Sequence, residues 1–118
     1  KNILCTGYDP AVNVFSEKPD HSLTCDCVVC VDVLEHLLYN NIDDTLTDIL
    51  AYGADILIFN IATRSASQIL PNGANAHTII ENDSWWNDKL ASIFHNHTIH
   101  TLKLKPSFSW SVKLTKNT

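Results

Sequence analysis

Apolar positions along the chain follow two different rhythms. "CVVCVDV" and "DILIFNIA" are continuous apolar runs. Unbroken hydrophobicity of that length suits strands covered on both faces, as the central strands of a parallel sheet are. "NILCTG" is a shorter apolar segment closed by Gly7 and predicts a further strand running into a turn. "IDDTLTDILAYG" has the helical period: Ile42, Leu46, Ile49 and Leu50 fall on one stripe. Asp43 and Asp44 suit the positive end of its dipole and Gly53 its C-terminal cap. "DSWWNDKLASIF" is again helical, with Trp86, Leu90, Ile93 and Phe94 aligned and Ser84 or a neighbour as cap. "HTIHTLKLKPSFSWSVKL" alternates and breaks at Lys105-Pro106, which predicts a hairpin. "TRSASQILPNGANAH" reads as a loop with a Pro-Asn-Gly turn, and "YDPAVNVFSEKPDHS" as mostly loop.

Strands alternating with helices imply crossover connections and a mainly parallel sheet, with the last two strands forming an antiparallel edge hairpin. The expected fold class is therefore α/β, Rossmann-like. The 118 residues are enough for one domain, and no internal repeat or linker divides them.

The net charge of −5, with Arg64 the single arginine, lacks the basic footprint of a nucleic-acid binder. No apolar run approaches the roughly 20 residues that span a bilayer. The first residues, "KNILCTGYDP", have no signal-peptide anatomy, so a cytoplasmic location is expected. The cysteines of "CDCVVC" lack the paired-knuckle spacing of zinc sites and read as small apolar core residues, with Cys25 and Cys27 on one strand face and Cys30 on the other. His95, His97 and His100 have no carboxylate or cysteine beside them in sequence and read as edge positions, so no metal site is expected. Two glycosylation sequons, at Asn82 and Asn96, are treated as chance.

Ligands of open α/β sheets bind beyond the carboxyl ends of the strands. Three loops leave such ends: "GYDPAV", "DVLEHL" and "NIATRSA". Asp9 can accept hydrogen bonds from a ribose diol, and it equally suits a turn before Pro10. Asp32 ends an apolar run and faces the mouth of the sheet, with Glu35 and His36 just behind it; Asp32 as a helix cap and Glu35 as a dipole partner is the plainer alternative.

Taken together, these segments resemble the class I S-adenosylmethionine-dependent methyltransferase family. "GYDPA" resembles the end of its second strand, "CDCVVCVDVLEHL" its fourth-strand motif and "DILIFNIAT" its fifth strand. "NAHTIIENDSWWNDKL" resembles the later segment bordering the acceptor pocket. The resemblance implies S-adenosyl-L-methionine as cofactor. It places Asp9 and Pro10 at the ribose, and Asp32, Val33 and Leu34 along the methionine end. It implies His36 and His77 as candidate bases. His77, Trp85 and Arg64 would border the acceptor, while Trp86 belongs to the helix stripe.

The family's first strand and glycine-rich loop should precede "GYDP", and the chain, with three glycines, does not contain them. The expectation is thus the C-terminal two-thirds of a methyltransferase domain. Its exposed sheet edge should be completed by a homo-oligomer or a second chain. The methyl acceptor would be a small molecule or a polymer. The alternative is a non-catalytic binding or assembly module on a degenerate methyltransferase-like core.

Overall fold

The structure, a computed structural model, describes residues 4–118. Its elements follow in the order β1 (Cys27–Val31), α1 (Ile42–Leu50), β2 (Ile56–Ala62), α2 (Asp83–Ile93), β3 (His97–Lys105) and β4 (Ser109–Lys116). The strands form one sheet in the order β1-β2-β4-β3. β1 and β2 run parallel, while β4 is antiparallel to both β2 and β3.

The sheet is thus mixed and mostly antiparallel, which corrects the expectation of a mainly parallel one. The reason lies in the hairpin. Its strands do not dock as an outer pair; β4 slots in beside β2, from Ile56↔Thr115 to Ala62↔Ser109. β4 presents Trp110, Val112 and Leu114 on one face, all fully buried. β3 carries His100, Lys103 and Lys105 and takes the edge, where charge discourages further pairing. Because β3 opposes β4, it points the same way as β1 and β2, so three carboxyl ends lie at one end of the sheet.

Helices cover a single sheet face. Leu57, Phe59 and Ile61 of β2 pair directly with Leu114, Val112 and Trp110 of β4. These six meet Leu46 of α1 and Trp86, Leu90 and Phe94 in the core. On the other face Asn60 Nδ2 donates to Ser111 Oγ at 2.6 Å. β1, read as a central strand, is an edge strand instead: Val29 is 64% and Val31 51% exposed. Its apolar run is real, but no strand pairs beyond it among the described residues.

Both helices match their periodicity. Gly53, at φ 69°, closes α1 in the left-handed conformation that glycine adopts without strain. Asn82, rather than Ser84, caps α2 by accepting from Trp85 N at 2.9 Å. The Pro-Asn-Gly turn is present, with Gly73 N–H bonded to Leu70 O. Between β3 and β4, Phe108 N–H bonds Lys105 O around Pro106 and Ser107; positive φ at Ser107 matches a type II turn.

The segment before β1 departs furthest from expectation. Of the strand read at "NILCTG", Asn2 and Ile3 lie outside the described residues, and residues 4–7 are exposed and form no strand. A 3-10 turn at Asn13–Phe15 follows. The segment is moored at the C-terminal end of α1. Lys18 pairs with Asp48 at 2.9 Å, and Tyr52 donates its hydroxyl to Pro19 O at 2.5 Å. Among the described residues, no helix is long and apolar enough to cross a membrane.

Candidate functional site

Asp32 turns the chain off β1. Its N–H bonds Asn60 O at 3.1 Å, the last contact of the β1–β2 ladder, and its φ of 55° is left-handed. Aspartate tolerates that region better than most side chains, and such backbone outliers gather at functional turns. Leu34–His36 then form a 3-10 turn, not the start of a long helix. This tight turn drives Leu34 and Glu35 inward and leaves His36 at the surface, its side chain 44% exposed.

Glu35 is the unusual group. It is fully buried, yet neither carboxylate oxygen has a hydrogen-bond partner among the described residues. Burial pushes its pKa above the ordinary glutamate range; His36 pulls the other way and Asp32 adds to the rise. The neighbouring Cys30 thiol is pushed up to about 12, by burial first and the Glu35 charge second.

The long loop after β2 folds back over this turn. Glu35 O accepts from Ile79 N at 3.0 Å, and His36 Nδ1–H donates to Ala76 O at 2.8 Å. His77 Nδ1–H donates to Arg64 O at 2.6 Å. A carbonyl can only accept, so both rings carry their proton on Nδ1 and leave Nε2 as the lone-pair nitrogen when neutral. The rings meet edge to face with centroids 4.9 Å apart. Glu35 Oε2 lies 3.8 Å from His36 Nε2.

Asn75 staples the loop. Its Oδ1 accepts from Ala66 N and His77 N, and its Nδ2 donates to Ala66 O, all within 2.9 Å. Arg64 donates to Phe108 O at 3.0 Å and lies over the Phe108 ring at 3.9 Å. His36, Arg64, Ser65, Ser67, Gln68 and His77 thereby line a cleft of about 420 Å³ at the carboxyl ends of β1 and β2.

The remaining sequence candidates sit elsewhere. Asp9 and Pro10 are exposed; Asp9 Oδ1 accepts from Ala11 N at 2.9 Å, and its backbone bonds reach only Val12 and Phe15. This is the turn role. Val33 is exposed, and Leu34 is sealed in the core. Trp85 stacks edge-on with Tyr39 at 5.9 Å and with Trp86, and it is not among the residues lining the cleft. All four cysteines are free; Cys25 and Cys30 pack on the core, but Cys27 is exposed, which corrects the reading of the three "CDCVVC" cysteines as core thiols, and Cys5 is exposed as well.

The burial of Glu35 and the bonding of Asn75 escape the sequence reading. Glu35 was in view as a dipole partner, and only the 3-10 turn aims it inward. Asn75 lies in the loop just past the Pro-Asn-Gly turn, and nothing local signals its three hydrogen bonds. No protein-family model, curated protein or solved structure matches the chain.

Proposed function

We propose that this chain carries the acceptor side of an S-adenosyl-L-methionine-dependent methyltransferase site. The methyl acceptor would be a small molecule or a polymer end seated in the cleft. One observation carries the reading: His36, Arg64 and His77, far apart in sequence, line one cleft at the carboxyl end of the parallel pair. That is where open α/β sheets place ligands. Its volume of about 420 Å³ falls within the roughly 300–1,000 Å³ of small-molecule sites. The D-V-L-E-H order at the turn is the second support.

The described residues do not fit the whole cofactor. Asp9 is spent on its own turn, Leu34 is core, and Gly7, Gly53 and Gly73 form no glycine-rich loop. No transfer step is therefore assigned to this chain alone. Its residues serve the acceptor: Arg64, Ser65, Ser67 and Gln68 offer polar contacts, and each neutral imidazole offers Nε2 to an acceptor N–H or O–H. The adenosyl half would come from a segment pairing along the β1 edge. The exposed Val29 and Val31 mark that edge.

The same edge, together with the buried Leu34, favours a second reading as a binding or assembly module without cofactor. Isothermal titration with S-adenosylmethionine and S-adenosylhomocysteine separates the two. Binding weaker than that of a complete cofactor site, and weakened further by Asp32→Ala, is the result expected of the methyltransferase reading. A folded protein that releases no heat with either compound assigns the chain to the module.

A further inference from the structure

We infer that Glu35, His36 and His77 form a binding site for a divalent first-row transition-metal ion, with coordination positions left open toward the cleft. One ligand atom from each residue lies within 4.8 Å of the other two. Bonds of about 2.1 Å require donors roughly 3.0–3.4 Å apart, so side-chain shifts of about 1–1.5 Å close the set.

Three independent features point to a cation. Glu35 is a buried carboxylate whose two oxygens both lack a hydrogen-bond partner among the described residues, an arrangement that a positive ion compensates. His36 and His77 each donate Nδ1–H to a backbone carbonyl, Ala76 O and Arg64 O. Such an outer bond orients metal-ligating histidines and directs the Nε2 lone pair to the ion. Two imidazoles with one carboxylate form a mixed set suited to zinc or iron(II), and harder magnesium prefers oxygen. Both histidines line the cleft, so a substrate oxygen or nitrogen seated there can reach an open position.

The site does not depend on methyl transfer. It uses the same Nε2 lone pairs that a free base would use, so a bound ion and a free imidazole base are alternatives at these atoms. The other histidines, His95, His97 and His100, and the cysteines of "CDCVVC" take no part in it.

The test is titration of the chelator-stripped protein with Zn²⁺, and separately with Co²⁺ and Mg²⁺. Calorimetry gives stoichiometry, and the visible absorption of Co²⁺ reports its coordination. One equivalent of Zn²⁺ should bind and raise the melting temperature, with Mg²⁺ without effect. Loss of an outer hydrogen-bond partner alone costs roughly tenfold to a hundredfold in metal affinity, so removing a ligand in Glu35→Gln or His36→Ala should lower affinity by at least that much. His36 is half exposed, so its variant keeps the fold even where Glu35→Gln does not. A folded protein that binds no Zn²⁺, or binding that both variants leave intact, overturns the site.

Discussion

The two ends of the sheet each gather histidines, but the packing treats them in opposite ways. At the carboxyl end His36 and His77 have oriented rings, satisfied Nδ1 atoms and a buried carboxylate between them and the core. At the amino end His97 packs its ring edge-on against Phe94 at 5.3 Å, with both nitrogens buried and without a hydrogen-bond partner among the described residues. A cavity of about 150 Å³ lies beside it, lined by Leu50, Ala54 and Ile93 among others. His100 merely meets Thr115 Oγ1 at 3.1 Å on the surface. Histidine count therefore says little. Outer hydrogen bonds and a convergent carboxylate distinguish a site from a histidine used as an apolar plate.

Four substitutions probe that contrast. Asn75→Ala removes three hydrogen bonds and should cost about 2–3 kcal/mol. Chemical denaturation measures the cost, and hydrogen exchange should show lost protection at Ala66 and His77 with the amino end unchanged. Glu35→Leu, with chelator present, should instead stabilise by about 1–2 kcal/mol, because an unpartnered carboxylate leaves the interior. The folded pKa of Glu35 is raised above 4.5, so its contribution is present below that pH and lost as pH rises through the folded value. The gain in the variant should appear above about pH 4.5 and grow upward.

His97→Phe should gain a smaller increment, about 0.5–1 kcal/mol, and with the opposite pH slope. Burial, helped by the charge of Lys116, lowers the His97 pKa below 6.5. Its contribution is therefore present above that pH and lost as pH falls through the folded value. The gain should grow below about pH 6.5, read from melting temperatures across a pH series. His100→Ala should change stability by less than about 0.5 kcal/mol, as surface positions do.

Local pattern was enough for both helices, the Pro71–Gly73 turn and the strand segments from β1 onward, because periodicity and turn residues act within a few positions. It could not show that β4 inserts beside β2, since that choice depends on which hairpin strand buries more apolar surface. The run of β1 was read as central for the same reason: apolar content reports tolerance for burial, and neighbours decide whether burial occurs. At the site, the Asp32–His36 turn and His77 were legible as candidates. Their convergence with Arg64 was inferred from family resemblance, and the loop closure that achieves it rests on Asn75, whose bonds are invisible in sequence. The inward aim of Glu35 depends on a 3-10 turn where a helix start was expected. Asp9 could be read two ways, and its bond to Ala11 N shows the turn role in this fold.

The central claim is that the carboxyl-end histidines are prepared to bind and the amino-end ones are not. Nitrogen NMR of the histidine rings, recorded before and after one equivalent of Zn²⁺, tests this most directly. The account predicts Nδ1–H tautomers for His36 and His77 in their neutral forms, and metal-induced shifts at their Nε2 atoms with His97 and His100 unmoved. Nε2–H tautomers in that pair, or a response confined to His95, His97 and His100, would contradict it.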